Sequence, residues 1–207
     1  MAKRNYDNNF PSVTQILDVL RKPELEYWFR MNTPEFCNEE SKRGKEIGTT
    51  IHEAIQSYIE TGTAKIETTY AEEVSNALKS FMKFREANSS FPLKRAEIAL
   101  TSEKYKFNGT IDCLSDNLIL DWKTGKCKDE EKPKIYSSYK YQVAAYVKLY
   151  NEFYAKNIER AIIVSVAKDK IAFDTYVMDK KEIDKCFKNV FLPALKILNY
   201  TKTKGSK

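Results

Sequence analysis

The sequence predicts an α/β fold in which a central mixed β-sheet is flanked by helices and preceded by a helical lobe. Two observations carry that expectation. Up to about residue 90 the apolar residues recur at helical spacing, and from residue 93 three consecutive stretches alternate at a period of two. A helix, two more strands and a final helix follow, and strands interleaved with helices belong to sheets whose faces the helices cover.

Taken in order, "PSVTQILDVL" opens with Ser12 and Gln15 at capping-box spacing, followed by an apolar stripe of Ile16, Leu17 and Leu20. Pro23 breaks this helix, and "ELEYWFRM" reads as a second short one with Trp28 and Phe29 for packing. Residues 33–40 read as a polar connection. In "SKRGKEIGTTIHEAIQSYIETG", Ile47, Ile51, Ile55, Tyr58 and Ile59 gather near one side, and Gly62 stops the helix. A further helix begins with a capping box of Thr69 and Glu72 and carries Val74, Leu78, Phe81 and Phe84 or Arg85 to about Asn88.

The period then changes. "LKRAEIALT" (93–101), "YKFNGTIDCL" (105–114) and "LILDWK" (118–123) are strand-like, with Ser115, Asp116 and Asn117 as a hairpin turn. A lysine-rich loop with Pro133 leads to the amphipathic helix "SSYKYQVAAYVKLYNEFYAK". "RAIIVSVAK" and "IAFDTYVM" are strands turning at Asp169 and Lys170. "KKEIDKCFKNVFLPALKILNY" is a closing helix in which Pro193 makes a kink or a break. The expected organisation is one domain, 1–207: a helical lobe (1–90), an αβ core (91–200) and a flexible basic tail (201–207).

With 42% apolar and 31% charged residues the chain is neither disordered nor fibrous. There is no apolar run of membrane-spanning length, and "MAKRNYDNNF" lacks the apolar core of a signal peptide, so the expected location is the cytoplasm, away from membranes. Cys37, Cys113, Cys127 and Cys186 are scattered without a CxxC pair, which reads as reduced thiols. The net charge of +6 favours an anionic partner, nucleic acid being the commonest, and fits solubility alone as well.

The residues with chemistry sit on the strands. Asp121 and Lys123 share a strand face with Ile119, while Leu118, Leu120 and Trp122 point to the other side. Asp112, on the preceding strand, can approach Asp121 across the hairpin, and paired carboxylates call for a neutralising cation. Oxygen-rich ligands of this kind suit Mg²⁺ or Mn²⁺. The plainer alternative is a surface hairpin with an ordinary Asp–Lys pair.

"GTID" (109–112) followed by "LDWKTGK" (120–126) resembles the core of the PD-(D/E)XK nucleases, in their RecB-like branch. "GTTIH" (48–52) is similar to that branch's upstream Gly-x-x-x-His motif, and "YQVAAY" carries its downstream Gln-x-x-x-Tyr motif at Gln142 and Tyr146. The opening "PSVTQIL" resembles exonucleases similar to the mitochondrial genome maintenance exonuclease, which occur in phages. The resemblance implies a restriction-endonuclease-like core. It implies His52, the single histidine, Asp112 and Asp121 as metal ligands with the backbone carbonyl of Trp122 and, from the first strand, Glu97. Lys123 becomes the catalytic lysine, with Gln142 and Tyr146, on one helical face, lining the site. The cysteine spacing differs from that of relatives holding an iron–sulfur cluster, so no cluster is expected.

The implied activity is metal-dependent DNA hydrolysis with one or two Mg²⁺ or Mn²⁺ ions, from free ends and with single-stranded DNA preferred, in the host cytoplasm if the chain is phage-encoded. Alternatives are an endonuclease of the same fold and a catalytically silent nucleic-acid-binding module. Tyr27, Trp28 and Phe29 either fill the core or stack on unpaired bases.

Overall fold

The structure is a computed structural model describing residues 6–7, 9–64, 68–90 and 92–204. Its centre is a five-stranded sheet in the order β1 (Arg95–Ser102), β2 (Phe107–Leu114), β3 (Ile119–Gly125), β4 (Ala161–Ala167) and β5 (Phe173–Met178). β3 occupies the middle. It runs parallel to β4, and the other neighbours are antiparallel, so the sheet is mixed as expected. A parallel pair cannot be closed by a hairpin, and here α5 (Ser137–Tyr154) supplies the crossover.

Two apolar layers form on the two faces of this sheet. One packs α1 (Val13–Leu17), α5 and the C-terminal helices against Leu100, Phe107, Ile111 and Ile119. The other packs α3 (Pro34–Thr61) and α4 (Ala71–Ala87) against Leu120, Trp122 and Val164. Trp122 lies edge-on to Phe81 and Phe84, with ring centroids 5.3 and 5.9 Å away.

The helix signals are mostly realised. Ser12 and Gln15 form the reciprocal capping box of α1, and Gly62, at φ 78°, caps α3 in the left-handed conformation that its lack of a side chain permits. Three expectations are corrected. The polar connection over 33–40 is the beginning of α3, started by Pro34 with the Thr33 hydroxyl accepting the Phe36 N–H at 3.3 Å. Its exposed charges hid the helical period there. The second capping box does not form: α4 starts at Ala71 without a side-chain cap, and the Thr68 hydroxyl accepts the Tyr70 N–H instead.

The third correction concerns α2 (Pro23–Met31), which buries none of its residues. Tyr27 and Phe29 are 66% and 47% exposed, and Trp28 is half-buried, so these aromatics do not fill a core. The helix is amphipathic, and among the described residues its side chains join neither apolar layer, Trp28 lying instead 6.3 Å from the exposed Phe36 ring at the start of α3. The closing helix is interrupted at a defined place. α6 (Lys180–Cys186) and α7 (Leu192–Lys204) are joined through a π-helical turn, Phe187–Phe191, in which the Leu192 N–H reaches the Phe187 carbonyl. A proline ring crowds the carbonyl four residues before it, and the wide turn stands just N-terminal of Pro193. The helix continues to Lys204, so 201–204 are helical, and 205–207 lie outside the described residues. Among the described residues no helix is long and apolar enough to cross a membrane.

Candidate active site

β3 separates its side chains as the period requires. Leu120 and Trp122 enter the α3–α4 layer, Ile119 enters the α5 layer, and Asp121 and Lys123 follow Ile119 on that second side. The β2–β3 ladder pairs Leu114 with Ile119 and Cys113 with Leu120 and goes no further. At the next position the Asp112 carboxylate accepts the Trp122 N–H at 2.8 Å. A side chain thus takes the place of a ladder bond, which opens the hairpin and holds Asp112 at the fork.

The β1–β2 ladder is interrupted at the same level. Ala96 pairs with Cys113 and Ile98 with Ile111, while the pair between them, Glu97 opposite Asp112, is missing. Glu97 has φ 50°, a left-handed conformation that costs a residue with a side chain on the order of 1 kcal/mol. Ile98 and Ile111 face the α5 layer, whereas Cys113 faces the α3–α4 layer. Both strands therefore change sides at Glu97 and Asp112, which frees these two carboxylates from either core.

His52 arrives from α3. An added Cβ on Gly48, one turn earlier, would stand 3.6 Å from the Thr124 hydroxyl, so the helix lies close against β3 here. The His52 Nδ1 is 3.7 Å from Asp112 Oδ2 and 3.9 Å from Glu97 Oε1. One ligand atom from each of His52, Glu97 and Asp112 lies within 4.8 Å of the others. Burial pulls the imidazole pKa down, but Asp112 and Glu97 outweigh it and the net shift is upward. Burial, with Asp121 and Glu97 adding to it against His52 and Lys123, raises the Asp112 carboxyl to about 6.

Asp121 stands outside that trio and is paired with Lys123, whose Nζ is 2.6 Å from Oδ2. Both Asp121 oxygens are fully buried, and the Lys123 ammonium is the group that meets them among the described residues. Burial would lower the Lys123 pKa, yet the Asp121 and Asp112 carboxylates raise it overall, so Lys123 is a cation. From α5, Gln142 Nε2 donates to the Tyr146 hydroxyl at 2.8 Å. Burial and the two aspartates push the Tyr146 phenol well above its ordinary range. Gly109 makes room for that ring: a Cβ there would meet Leu149 Cδ2 at 2.9 Å and Tyr146 Cε1 at 3.0 Å.

The residues singled out in the sequence are therefore brought together in linked groups: His52 with Glu97 and Asp112, Asp121 with Lys123, and Gln142 with Tyr146. Trp122 contributes its N–H to Asp112. Sequence reasoning missed Tyr139, whose ring centroid lies 5.4 Å from the Lys123 ammonium. Its signal was its place three residues before Gln142 and seven before Tyr146, on the same helical face. It also missed Tyr6, whose hydroxyl is hydrogen-bonded to that of Thr110 on β2.

These residues fit a divalent cation. Asp112 and Asp121 are both buried beside the single ammonium of Lys123, a surplus of negative charge that a cation would offset, and one imidazole nitrogen among carboxylate oxygens is a hard donor set that Mg²⁺ and Mn²⁺ accept.

No protein-family model matches the chain, and no curated protein does. Among solved structures it is similar to a phage-related exonuclease from Haemophilus somnus 129PT, at 14% identity over 77% of this chain and 83% of that one, with a TM-score of 0.42. A putative exonuclease from Eubacterium rectale aligns at 13% identity over 73% of this chain and 66% of that one, with a TM-score of 0.49. An alkaline exonuclease from Laribacter hongkongensis aligns at 13% identity over 94% and 92% of the two chains, with a TM-score of 0.40.

Proposed function

We propose that this chain is a metal-dependent deoxyribonuclease of the RecB-like PD-(D/E)XK type, hydrolysing DNA from free ends with single-stranded DNA preferred. The observation that carries this reading is the juxtaposition of the His52–Glu97–Asp112 donors with the fully buried Asp121 carboxylate and the charged Lys123. Asp112, Asp121, Glu97 and His52 would hold Mg²⁺ or Mn²⁺. When bound, such an ion supplies charge to the phosphate oxygens and acidifies a water nucleophile.

The chain's own residues do the rest. Lys123, protonated, cannot serve as a base. It acts as a fixed cation beside the charge that develops on the phosphoryl oxygens, and it is worth most where the site excludes water. Asp121 and the Tyr139 ring restrain its ammonium. The Gln142–Tyr146 pair offers donors from α5 on the same side of the sheet, and the high phenol pKa keeps Tyr146 protonated as a donor. His52 and Glu97 position Asp112, whose remaining contact to the Trp122 N–H fixes its rotation. The free-end and single-strand preferences rest on the resemblance of "PSVTQIL" and of the four motifs in their order.

End-labelled DNA, single- and double-stranded, linear and circular, tests the reading with Mg²⁺, Mn²⁺ or EDTA, comparing the natural chain with Lys123→Ala. Metal-dependent loss of linear single strands, with circles resistant and the variant inactive, is the expected result. Digestion of circles would make it an endonuclease. Equal digestion by both proteins would sink the site assignment, and binding without digestion would favour the silent module.

A further inference from the structure

Beyond β3 the chain enters a lysine-rich loop that is clasped to the β4–β5 turn. The Lys168 N–H donates to the Gly125 carbonyl at 2.9 Å. The Cys127 and Lys128 N–H groups each donate to the Asp169 carboxylate at 3.0 Å, and Lys170 Nζ reaches the Glu130 carbonyl. Cys127 is buried beneath the loop, and Lys128 takes a left-handed φ of 54°, which turns the chain after its N–H. This clasp fixes two other residues, the exposed Lys126 and the half-buried Lys168, at the same end of β3 and β4.

Neither ammonium has an ion-pair partner among the described residues. The acids in electrostatic reach of Lys168 are Glu73 and Glu40, and Arg43 pairs with both, with Glu40 at 3.8 Å. Burial and then Lys126 pull the Lys168 pKa down. A partly buried cation beside another cation is destabilising on its own, and a bound anion removes that cost.

The position of this pair relative to the active centre is set by α3. His52 stands in the donor cluster, Gly48 lies against Thr124 of β3, and Arg43 reaches the neighbourhood of Lys168. At 1.5 Å per residue, His52 and Arg43 are about 14 Å apart along the helix, a distance that a short run of nucleotides spans.

We infer that Lys126 and Lys168 hold a backbone phosphodiester of the DNA strand a short way from the scissile one, so that the strand runs from the active centre along the N-terminal half of α3. The inference rests on the nuclease reading and gives it a direction. The clasp then has a purpose, which is to preorganise two cations for a polyanion.

The test compares the natural chain with Lys126→Gln, Lys168→Gln and the double variant. Binding of a fluorescent single-stranded oligonucleotide is followed across salt concentrations in EDTA, and KM and kcat are measured on that oligonucleotide and on bis(p-nitrophenyl) phosphate. Each phosphate contact to a single strand contributes about 0.7 to the slope of log K against log salt. The two lysines share one phosphate, so the double variant is expected to lose about 0.7 of slope and to raise KM on DNA about tenfold, with kcat and turnover of the small ester unchanged. An unchanged slope and KM, or an equal loss on the small ester, overturns the assignment. Lys168→Gln should melt at or above the natural chain because a repelled cation is removed, and a marked drop would make Lys168 structural and overturn it too. A natural chain that binds DNA without cleaving it defeats the nuclease reading while the slope still decides the lysines. A natural chain that neither binds nor cleaves defeats both.

Discussion

The two sides of β3 are built to opposite rules. On one side Leu120 and Trp122 are packed in the α3–α4 layer, Trp122 against the aromatic rings of α4. On the other side of the same backbone, Asp121 is 0% exposed, and the Lys123 ammonium is held against it. The first side stabilises the sheet; the second gives up part of that stability to keep charge in a dry place. A single strand can do both because its side chains alternate and because its central position in the sheet buries both faces.

The largest expected effect breaks the polar side. Lys123→Ala or Asp121→Asn should lower DNA hydrolysis about a thousandfold, as removal of a preorganised charge at a reacting centre does. Initial rates on end-labelled DNA measure it, and a loss below tenfold would contradict the proposed roles of Lys123 as fixed cation and Asp121 as ligand. The double change Asp121→Asn with Lys123→Met should abolish activity while leaving stability equal or higher, because replacing both members of a buried ion pair is often neutral or favourable by about 1–4 kcal/mol.

Next comes the packed side. Trp122→Ala should cost about 3–5 kcal/mol in denaturant unfolding, the range for emptying a large aromatic site. A cost under about 1 kcal/mol would mean that the α4 rings close over the gap.

A smaller effect links the two sides through pH. Asp112 has its carboxyl raised from 3.8 to about 6 by burial, so the folded chain without metal binds this proton more tightly than the unfolded chain. That contribution to stability is complete below the unfolded value and is lost as pH rises through about 6. His52, also raised, adds a loss of the same sign when it deprotonates. On account of these groups the metal-free protein should melt lower at about pH 7.5 than at about pH 5. Mn²⁺ should raise the melting temperature at the higher pH and do little at the lower, where protons compete for the same ligands. Equal metal stabilisation at both values would argue against these ligands.

The smallest effect is expected on α2. Phe29→Ser should change stability by no more than about 0.5 kcal/mol, since the ring is half-exposed and belongs to neither apolar layer among the described residues. A large loss would mean that α2 is packed in solution.

Much of the fold is legible in the sequence because it depends on short-range periodicity. The five strands, the Ser12–Gln15 box, the Gly62 stop and the turn at Asp116 follow from local chemistry, and the structure has them where the residues point. Asp112, Asp121 and Lys123 are legible since charge at the end of an apolar strand violates its pattern. The departures share a cause as well. Polarity alone suggests a connection at 33–40 and a cap at Thr69, but it competes poorly with helix extension from Pro34 and with the packing that starts α4 at Ala71. Composition alone suggests packing for Trp28 and Phe29, and composition does not say whether a neighbour exists.

By itself, then, the sequence determined the elements and the chemical types at the end of β3, because alternation, helical spacing and capping act over a few residues. The tertiary structure alone decided three further things. It set Glu97 opposite Asp112 at a break shared by two strands, brought His52 across from α3 through the approach at Gly48, and clasped Lys126 beside Lys168. Each of these depends on which residues far apart in the chain come to share space, and no local period encodes that.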